Sequence, residues 1–348
     1  MPEIIVGLPH LRHGPILDRA IAMQQPMLIS ANCLSRWRKT QGTREWSGWN
    51  LEPLSKAHRL KSLDLDSAGF VATAHYGGLP WTIEQYIQLA ASFPFRRFAS
   101  VDYCCEAEIA AHREEVLDRI SRTIAANRQC HAIARDYGIQ KQFMPVLQGR
   151  RPDDYARCAD SLHALVNEYP VIGVGSMCRR PIHGREGLLS VIQSLDQVLP
   201  ANTQLHLFGV KGAAIPWLKP YAQRVSSIDS QAWGIAARYQ ALRSNRSKSD
   251  SFAADAMEHW TTTQLTRTLS PAKTASFPIS METHDTMPTD RWNNAIAAAR
   301  QQFRELIEEG ALDHDEITCC WIEQTAADIY HASIPQPQHD LTQFASLH

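Results

Sequence analysis

Apolar runs and amphipathic stretches alternate along the first two thirds of the chain. Ile4-Ile-Val-Gly-Leu8 and Pro26-Met-Leu-Ile-Ser30 read as short buried strands, with a helix over residues 15–25 between them. Leu63-Asp-Leu-Asp66 is the next apolar run, followed by an amphipathic helix over 82–92 and a strand at Phe98-Ala-Ser-Val-Asp102. From 106 to 137 apolar residues return at helical spacing (Ile109, Val116, Leu117, Ile120, Ile124, Ile133), which predicts a long surface helix with room for one interruption. Beyond it, strands at 143–147, 171–174, 205–208 and 225–228 are separated by helices over 153–168, 187–199 and 216–224.

Strands joined by helices of this length predict a parallel sheet with right-handed crossovers. So many in succession favour α/β architecture of the closed (β/α)8 TIM-barrel type over an open sheet. No Gly-x-Gly-x-x-Gly follows the first strand, which weighs against a dinucleotide-binding fold.

Two regions break the rhythm. Residues 32–54 are polar and Trp-rich. Within them Arg36-Trp-Arg-Lys39 could meet phosphates and a base, but a solvated loop with a packed tryptophan is the favoured reading. From Arg238 the composition changes. Residues 243–251 are polar and Ser-rich, and 261–288 are rich in Thr, Ser and Pro without a clear pattern. A clear amphipathic helix follows over 291–309, capped by Gly310, and a last helix around 315–332. The expected division is a barrel core over 1–235, carrying the pocket, and a remainder over 236–348 with the last barrel elements and a helical extension, all in one compact domain.

Composition changes this picture little. The net charge is −1, so whole-molecule charge favours neither a nucleic-acid nor a membrane partner, and any polyanion site must be a local cluster. The first residues are too short an apolar run for a signal peptide, and no run reaches the length of a membrane span. Eight scattered cysteines suit reduced thiols better than a disulfide framework, so a cytoplasmic protein is expected.

Three carboxylates each close an apolar run: Asp66, Asp102 and Asp229. In a parallel barrel the strand ends meet at one face, so the three are expected to share a site. Capping the next helix is the alternative for each alone. Together they offer paired chemistry: one carboxylate attacks a sugar carbon, a second moves protons, and a third accepts hydrogen bonds from the donor edge of a guanine-like ring. Gln148-Gly149 and Gly173-Val-Gly175 supply an amide and open backbone, and Phe70 and Phe208 could stack on a ring or simply pack in the core. His75 reads as a loop residue near the pocket and His206 as a core or outer-face position.

The ordered set Asp66-Ser-Ala-Gly-Phe, Asp102-Tyr-Cys, Val146-Leu-Gln-Gly, Ile172-Gly-Val-Gly, Leu207-Phe-Gly-Val and Ile228-Asp229 resembles the tRNA-guanine transglycosylase superfamily. That resemblance implies a (β/α)8 barrel that exchanges guanine in a nucleic acid for a 7-deazaguanine. It implies Asp229 as the residue bonded to C1′, Asp66 as general acid and base, and Ser67 as its base-contacting neighbour. Asp102, Cys104 and Gln148 match the base-recognising positions, Gly173 the backbone-contacting loop, and Phe70 and Phe208 the stacking positions, with Gly149 and Gly209 beside them.

The departures from the family fall where tRNA would be gripped. The Cys-x-Cys-x-x-Cys and later His that hold structural zinc in the tRNA enzymes are absent. Only Cys319-Cys320 and scattered His259, His284 and His314 stand in that region, so no metal site is expected. The basic segment after the nucleophile becomes Ser230-Gln-Ala-Trp-Gly. This pattern is similar to the DNA-directed branch, which inserts 7-cyano-7-deazaguanine into DNA. It implies DNA with a flipped or single-stranded guanine and a free 7-deazaguanine base as partners, with accessory DNA-modification proteins, no cofactor and no membrane. Arg150, Arg151, Arg179, Arg180, Arg185 and Lys211 lie just past strand ends and either ring the mouth as phosphate contacts or form a solvated rim. A tRNA-directed enzyme and a non-catalytic barrel that binds a base or nucleic acid are the alternatives, with a metal-dependent barrel hydrolase a weaker one.

Overall fold

A computed structural model describes residues 1–40, 43–69, 72, 76, 78–178, 180–274, 291–308, 322 and 325–330. Its main sheet is all parallel, built from β1 (Glu3–Leu8), β2 (Pro26–Ser30), β3 (Ser62–Asp66), β4 (Arg97–Ala99), β5 (143–147), β6 (Val171–Val174), β7 (Gln204–Leu207) and β8 (Val225–Ser230). The order runs β5-β4-β3-β2-β1-β8-β7-β6-β5, because the segments Phe143–Met144 and Val146–Leu147 at the two ends of the sheet are halves of one strand. The sheet closes on itself. It is the expected (β/α)8 TIM-type barrel.

The break within β5 is Pro145, which has no N–H to give the ladder. A fully buried asparagine compensates. Asn127 donates from Nδ2 to the Val146 carbonyl (3.0 Å) and accepts the Val146 N–H (2.9 Å), tying the strand to the helix behind it.

Each strand alternates two faces. On β3, Leu63 and Leu65 join the large core between sheet and helices, while Asp64 and Asp66 take the opposite face. On β7, Leu205 and Leu207 join that core and His206 does not. A separate small cluster of Ala99, Met144 and Val146, with Phe208 and Val171 against it, fills the barrel interior. The interior is therefore polar at several levels. At its base Asp64 is clasped by Arg96 (2.6 Å) and Arg97 (2.8 Å), which hold its carboxyl below the usual range despite burial.

Around the barrel stand α1 (Pro15–Met23), α2 (Ile83–Ala91), α3 (Arg113–Asp136), α4 (Pro152–Ser161), α5 (Leu188–Val198), the one-turn α6 (Ile215–Leu218) and α7 (Ala232–Arg243). The start of α2 is fixed by a capping box between Thr82 and Gln85. The long helix expected over 106–137 is interrupted before α3, after the single turn Ala107–Ala110. All strands of the barrel precede α7.

Two elements differ from the sequence-based expectation. Residues 35–49 are not a loop but an antiparallel hairpin, Ser35–Thr40 with Thr43–Trp49, whose register puts Trp37 across from Trp46 and Arg38 across from Glu45. The polar stretch after α7 leads into α8 (Asp250–Leu269), a helix that the apolar pattern alone does not reveal. Its buried stripe is Ala253, Ala254, Met257, Trp260, Thr261 and Gln264, helical in spacing but with four of the six small or polar. α8 packs on α1, α7 and β1, and Arg19 of α1 donates to Asp255 and Glu258.

The expected amphipathic helix is present as α9 (Arg291–Glu308). It sits against the loops after β4 and β7 through the 107–110 turn and the Lys211–Glu305 ion pair. Its expected cap, Gly310, lies outside the described residues, and of the last expected helix only 322 and 325–330 are described, as helix. Among the described residues no helix is long and apolar enough to cross a membrane.

Candidate active site

The three carboxylates singled out in the sequence converge at the C-terminal mouth of the barrel. Asp66 ends β3, Asp229 stands one residue before the end of β8, and Asp102 lies three residues beyond β4, past the strand in which it was expected. Asp66 Oδ2 accepts the Ala68 N–H at 3.0 Å, in a tight turn that puts Ala68 at φ 68°. A left-handed alanine costs about 1–2 kcal/mol. Ser176, in the loop after β6, is also left-handed (φ 55°). Backbone strain at both positions is held by the surrounding site.

Asp102 is the hub of a hydrogen-bonded chain. Its Oδ1 accepts from Ser67 Oγ at 2.9 Å and its Oδ2 from Gln148 Nε2 at 2.5 Å. Gln148 Oε1 accepts from Ser176 Oγ, which itself accepts the Cys105 N–H, each at 2.7 Å. The amide of Gln148 is thus oriented from both ends. Gly175 makes the approach possible, since a Cβ there would sit 2.2 Å from Gln148 Nε2. Gly173 does the same for Phe208, whose ring lies 2.7 Å from where a Cβ would be.

Asp229 is only 9 % exposed and accepts the Gly209 N–H on Oδ1 at 3.1 Å. The same oxygen lies 3.2 Å from Nε2 of His206, a fully buried residue whose Nδ1 lies 2.9 Å from Ser227 Oγ. Phe208 stands edge-on to that imidazole, with ring centroids 4.5 Å apart. Asp229 Oδ2 has no hydrogen-bond partner among the described residues, the state a nucleophilic oxygen requires.

His206 is in the core, as one of its two expected placements had it, but its contact with Asp229 was missed. A polar residue at the inward position of Leu205-His-Leu-Phe208, level with Ser227 on the next strand, was the available signal. Ser176 was missed because nothing in its sequence neighbourhood marks it.

Electrostatics separates the carboxylates. Burial, then the charges of Asp102 and Asp229, push Asp66 up to about 7, against the opposing Ala68 N–H. Burial also raises Asp102, although Gln148 and Ser67 pull the other way. A carboxyl that exchanges a proton near neutrality beside a carboxylate with a free oxygen is suited to paired acid/base and nucleophilic work.

The chain matches the family model DeoxyPurine in DNA protein A (DpdA) over residues 51–298, well over half its length. The chain belongs to the DpdA family. No curated protein matches it.

The remaining residues of this DpdA-family chain that were expected at the site divide sharply. Cys104 is buried near Asp102, with its carbonyl accepting from Arg119 at 2.6 Å. Gly149 is packed against Asp154 and Tyr155, where a Cβ would meet both. Phe70 and His75 lie outside the described residues, as do Arg179, Cys319, Cys320, His284 and His314.

The cationic rim needs correction. Arg180 is 2 % exposed and spends its guanidinium on the carbonyls of Ser176, Arg150 and Glu186 and on Tyr155 Oη, so it braces loops from inside. Arg150 is paired with Glu186 at 2.7 Å, and Arg151 lies 3.7 Å from the same carboxylate. Lys211 is half-buried against Glu305 of α9 at 2.6 Å. Asp154, fully buried at the start of α4, opposes burial with bonds from Arg113 and the N–H groups of Arg150 and Arg151, which hold it at about 2. Arg150, Arg180 and Lys211 thus brace loops and helix α9, because loop residues just past strand ends are placed to hold one another as well as to face outward, while Arg151 and Arg185 remain exposed.

Proposed function

We propose that this protein exchanges guanine in DNA for a 7-deazaguanine, with 7-cyano-7-deazaguanine as the incoming base, through a covalent aspartyl intermediate. Membership of the DpdA family supports a DNA-directed deazapurine transglycosylase and favours DNA over tRNA. The observation that carries the mechanism is the pairing of Asp229, with Oδ2 free, and Asp66, raised to about 7.

Asp229 Oδ2 attacks C1′ of the target deoxyguanosine as the C1′–N9 bond breaks, and guanine leaves with the proton of Asp66. The strand stays esterified to Asp229 while the bases change places. Asp66, now a carboxylate, takes the N9 proton of the incoming base, whose nitrogen attacks C1′ and frees Asp229. Two inversions give net retention, as in retaining glycosidases. Asp102 accepts hydrogen bonds from the donor edge of the base in place of those from Ser67 and Gln148, Gln148 contacts the base, and Phe208 stacks on its face. The target base reaches the mouth flipped out or single-stranded.

The test is base exchange with purified protein and 7-cyano-7-deazaguanine, on DNA and unmodified tRNA in parallel, read by mass spectrometry of the digested nucleosides. A modified deoxynucleoside from DNA alone is expected. With Asp229→Asn, exchange is abolished while the free base still binds. Near wild-type exchange by that variant would refute the nucleophile assignment, and modified nucleoside from tRNA alone would refute the choice of DNA.

A further inference from the structure

With Arg150, Arg180 and Lys211 of the expected rim engaged internally, and Arg151 and Arg185 left exposed, the hairpin of residues 35–49 is a second concentration of positive charge near the mouth. It holds Arg36, Arg38, Lys39 and Arg44 against one carboxylate, Glu45, in a chain whose net charge is −1. Arg36, Arg38 and Lys39 are exposed, and none is ion-paired among the described residues. Arg36 meets only the neutral Asn50 Oδ1, at 3.1 Å. Charge that is segregated and left unpaired in this way is the signature of a polyanion contact.

The hairpin springs from the C-terminal end of β2, on the face of the barrel that holds the carboxylates. The last residue of that strand, Ser30, pairs in register with Asp66. A single 3-10 turn, Ala31–Leu34, separates that pair from the first hairpin strand.

Its orientation is fixed at several points. Asn50 N–H donates to the Leu34 carbonyl at 2.6 Å across the hairpin base, and Tyr76 Oη donates to Asn32 at 3.2 Å. Trp37 packs on Tyr76 with ring centroids 4.4 Å apart. Trp46 and Trp49 cluster with Trp81 at the start of α2, and Trp49 Nε1 donates to the Gln85 carbonyl at 2.9 Å. An isolated two-stranded hairpin is marginal in water. Here the tryptophan side is anchored on the barrel, which leaves the face of Arg36 and Arg38 to solvent.

We infer that this hairpin is the DNA grip of the enzyme: Arg36, Arg38 and Lys39 bind backbone phosphates of the strand beside the target guanine, holding it over Asp66 and Asp229. The inference rests on the DNA reading above and adds the surface that performs it. Such contacts are electrostatic and carry no base sequence, which suits positioning a strand for a pocket that reads one base.

The test measures binding, so it is independent of catalysis. Fluorescence anisotropy of a labelled, guanine-containing single-stranded oligonucleotide is followed over a range of salt for wild type and Arg36→Ala/Arg38→Ala/Lys39→Ala. The variant is expected to bind at least roughly tenfold more weakly at moderate salt, with its log K against log salt slope reduced by about 2, for three lost phosphate contacts. Arg36→Lys/Arg38→Lys should keep most of both.

As a control, Lys61→Ala/Arg135→Ala/Lys141→Ala removes three exposed cations near the other end of the barrel and should leave the slope unchanged. Binding of free 7-cyano-7-deazaguanine and the near-ultraviolet spectrum of the tryptophans report whether each variant is folded. A folded hairpin variant with wild-type affinity and slope would overturn the inference, whatever the exchange assay shows. Wild-type protein that binds no DNA would overturn the DNA reading as well.

Discussion

At Asp66 the proposed catalytic role and stability pull in opposite directions. The residue is partly buried with Asp102 and Asp229 close by, and the same burial and charges that raise its carboxyl to about 7 make its ionised form unfavourable in the folded state. An unfolded aspartate loses its proton near 4. Between those values the folded chain binds the extra proton, so stability falls as pH rises from about 4 to about 7 and levels off above. Asp66→Asn removes the burden and the proposed proton carrier together. It is expected to abolish exchange yet to be more stable than wild type at pH 8, by on the order of 2 kcal/mol once partial exposure is allowed for. The gap should shrink as pH is lowered towards 5. Thermal melts of both proteins across that range check this, and a gap that does not change with pH would contradict it. The three carboxylates were legible in the sequence because each closes an apolar run, and a barrel brings such ends together. Arg150 and Arg180 were not legible as internal braces because a strand-end position says where a residue starts, not which partner its side chain finds.

At the scale of elements, the pairing of β7 with β8 sets Asp229, the proposed nucleophile. The register puts His206 level with Ser227, so one imidazole spans Ser227 Oγ and Asp229 Oδ1 while Gly209, at the end of β7, supplies a backbone donor to the same oxygen. The free Oδ2 is then held in one direction. His206→Phe keeps a ring of similar size but loses both polar contacts. It is expected to lower kcat by roughly 10²-fold, the scale of a misplaced reacting group, with little change in the KM for free base. His206→Gln, which can still reach one partner, should recover part of the loss. Single-turnover assays separate the two parameters, and a rise in KM with kcat unchanged would assign His206 to base binding instead. The same scale explains the two misread elements. The hairpin was missed because its alternation is charged against aromatic, and α8 because its buried stripe relies on alanine, threonine and glutamine, residues that a search for apolar periodicity passes over. The barrel strands, by contrast, bury large apolar side chains against the helices, and their succession followed from the sequence.

For the molecule as a whole, the question is whether the segment after the last strand is an appendage or part of the barrel. α8 contributes Ala253, Ala254, Met257 and Trp260 to the same buried cluster as β1, β7, β8 and α1, and Trp233 at the start of α7 donates from Nε1 to the Gly7 carbonyl of β1 at 3.0 Å. The chain thus returns after β8 to cover the strand with which it began. A core shared in this way implies one cooperative unit, since neither part keeps its buried surface without the other. Met257 is fully buried, so Met257→Ala should cost about 3 kcal/mol through lost contact and the cavity left behind. If the core is shared, that cost appears as a lower melting point for the whole barrel in a single transition. Amide hydrogen exchange within α8 and far-ultraviolet ellipticity, which reports every helix, should then shift together. Early, separate loss of exchange protection in α8, with the main loss of ellipticity left at its wild-type temperature, would show that residues after 236 unfold as their own body.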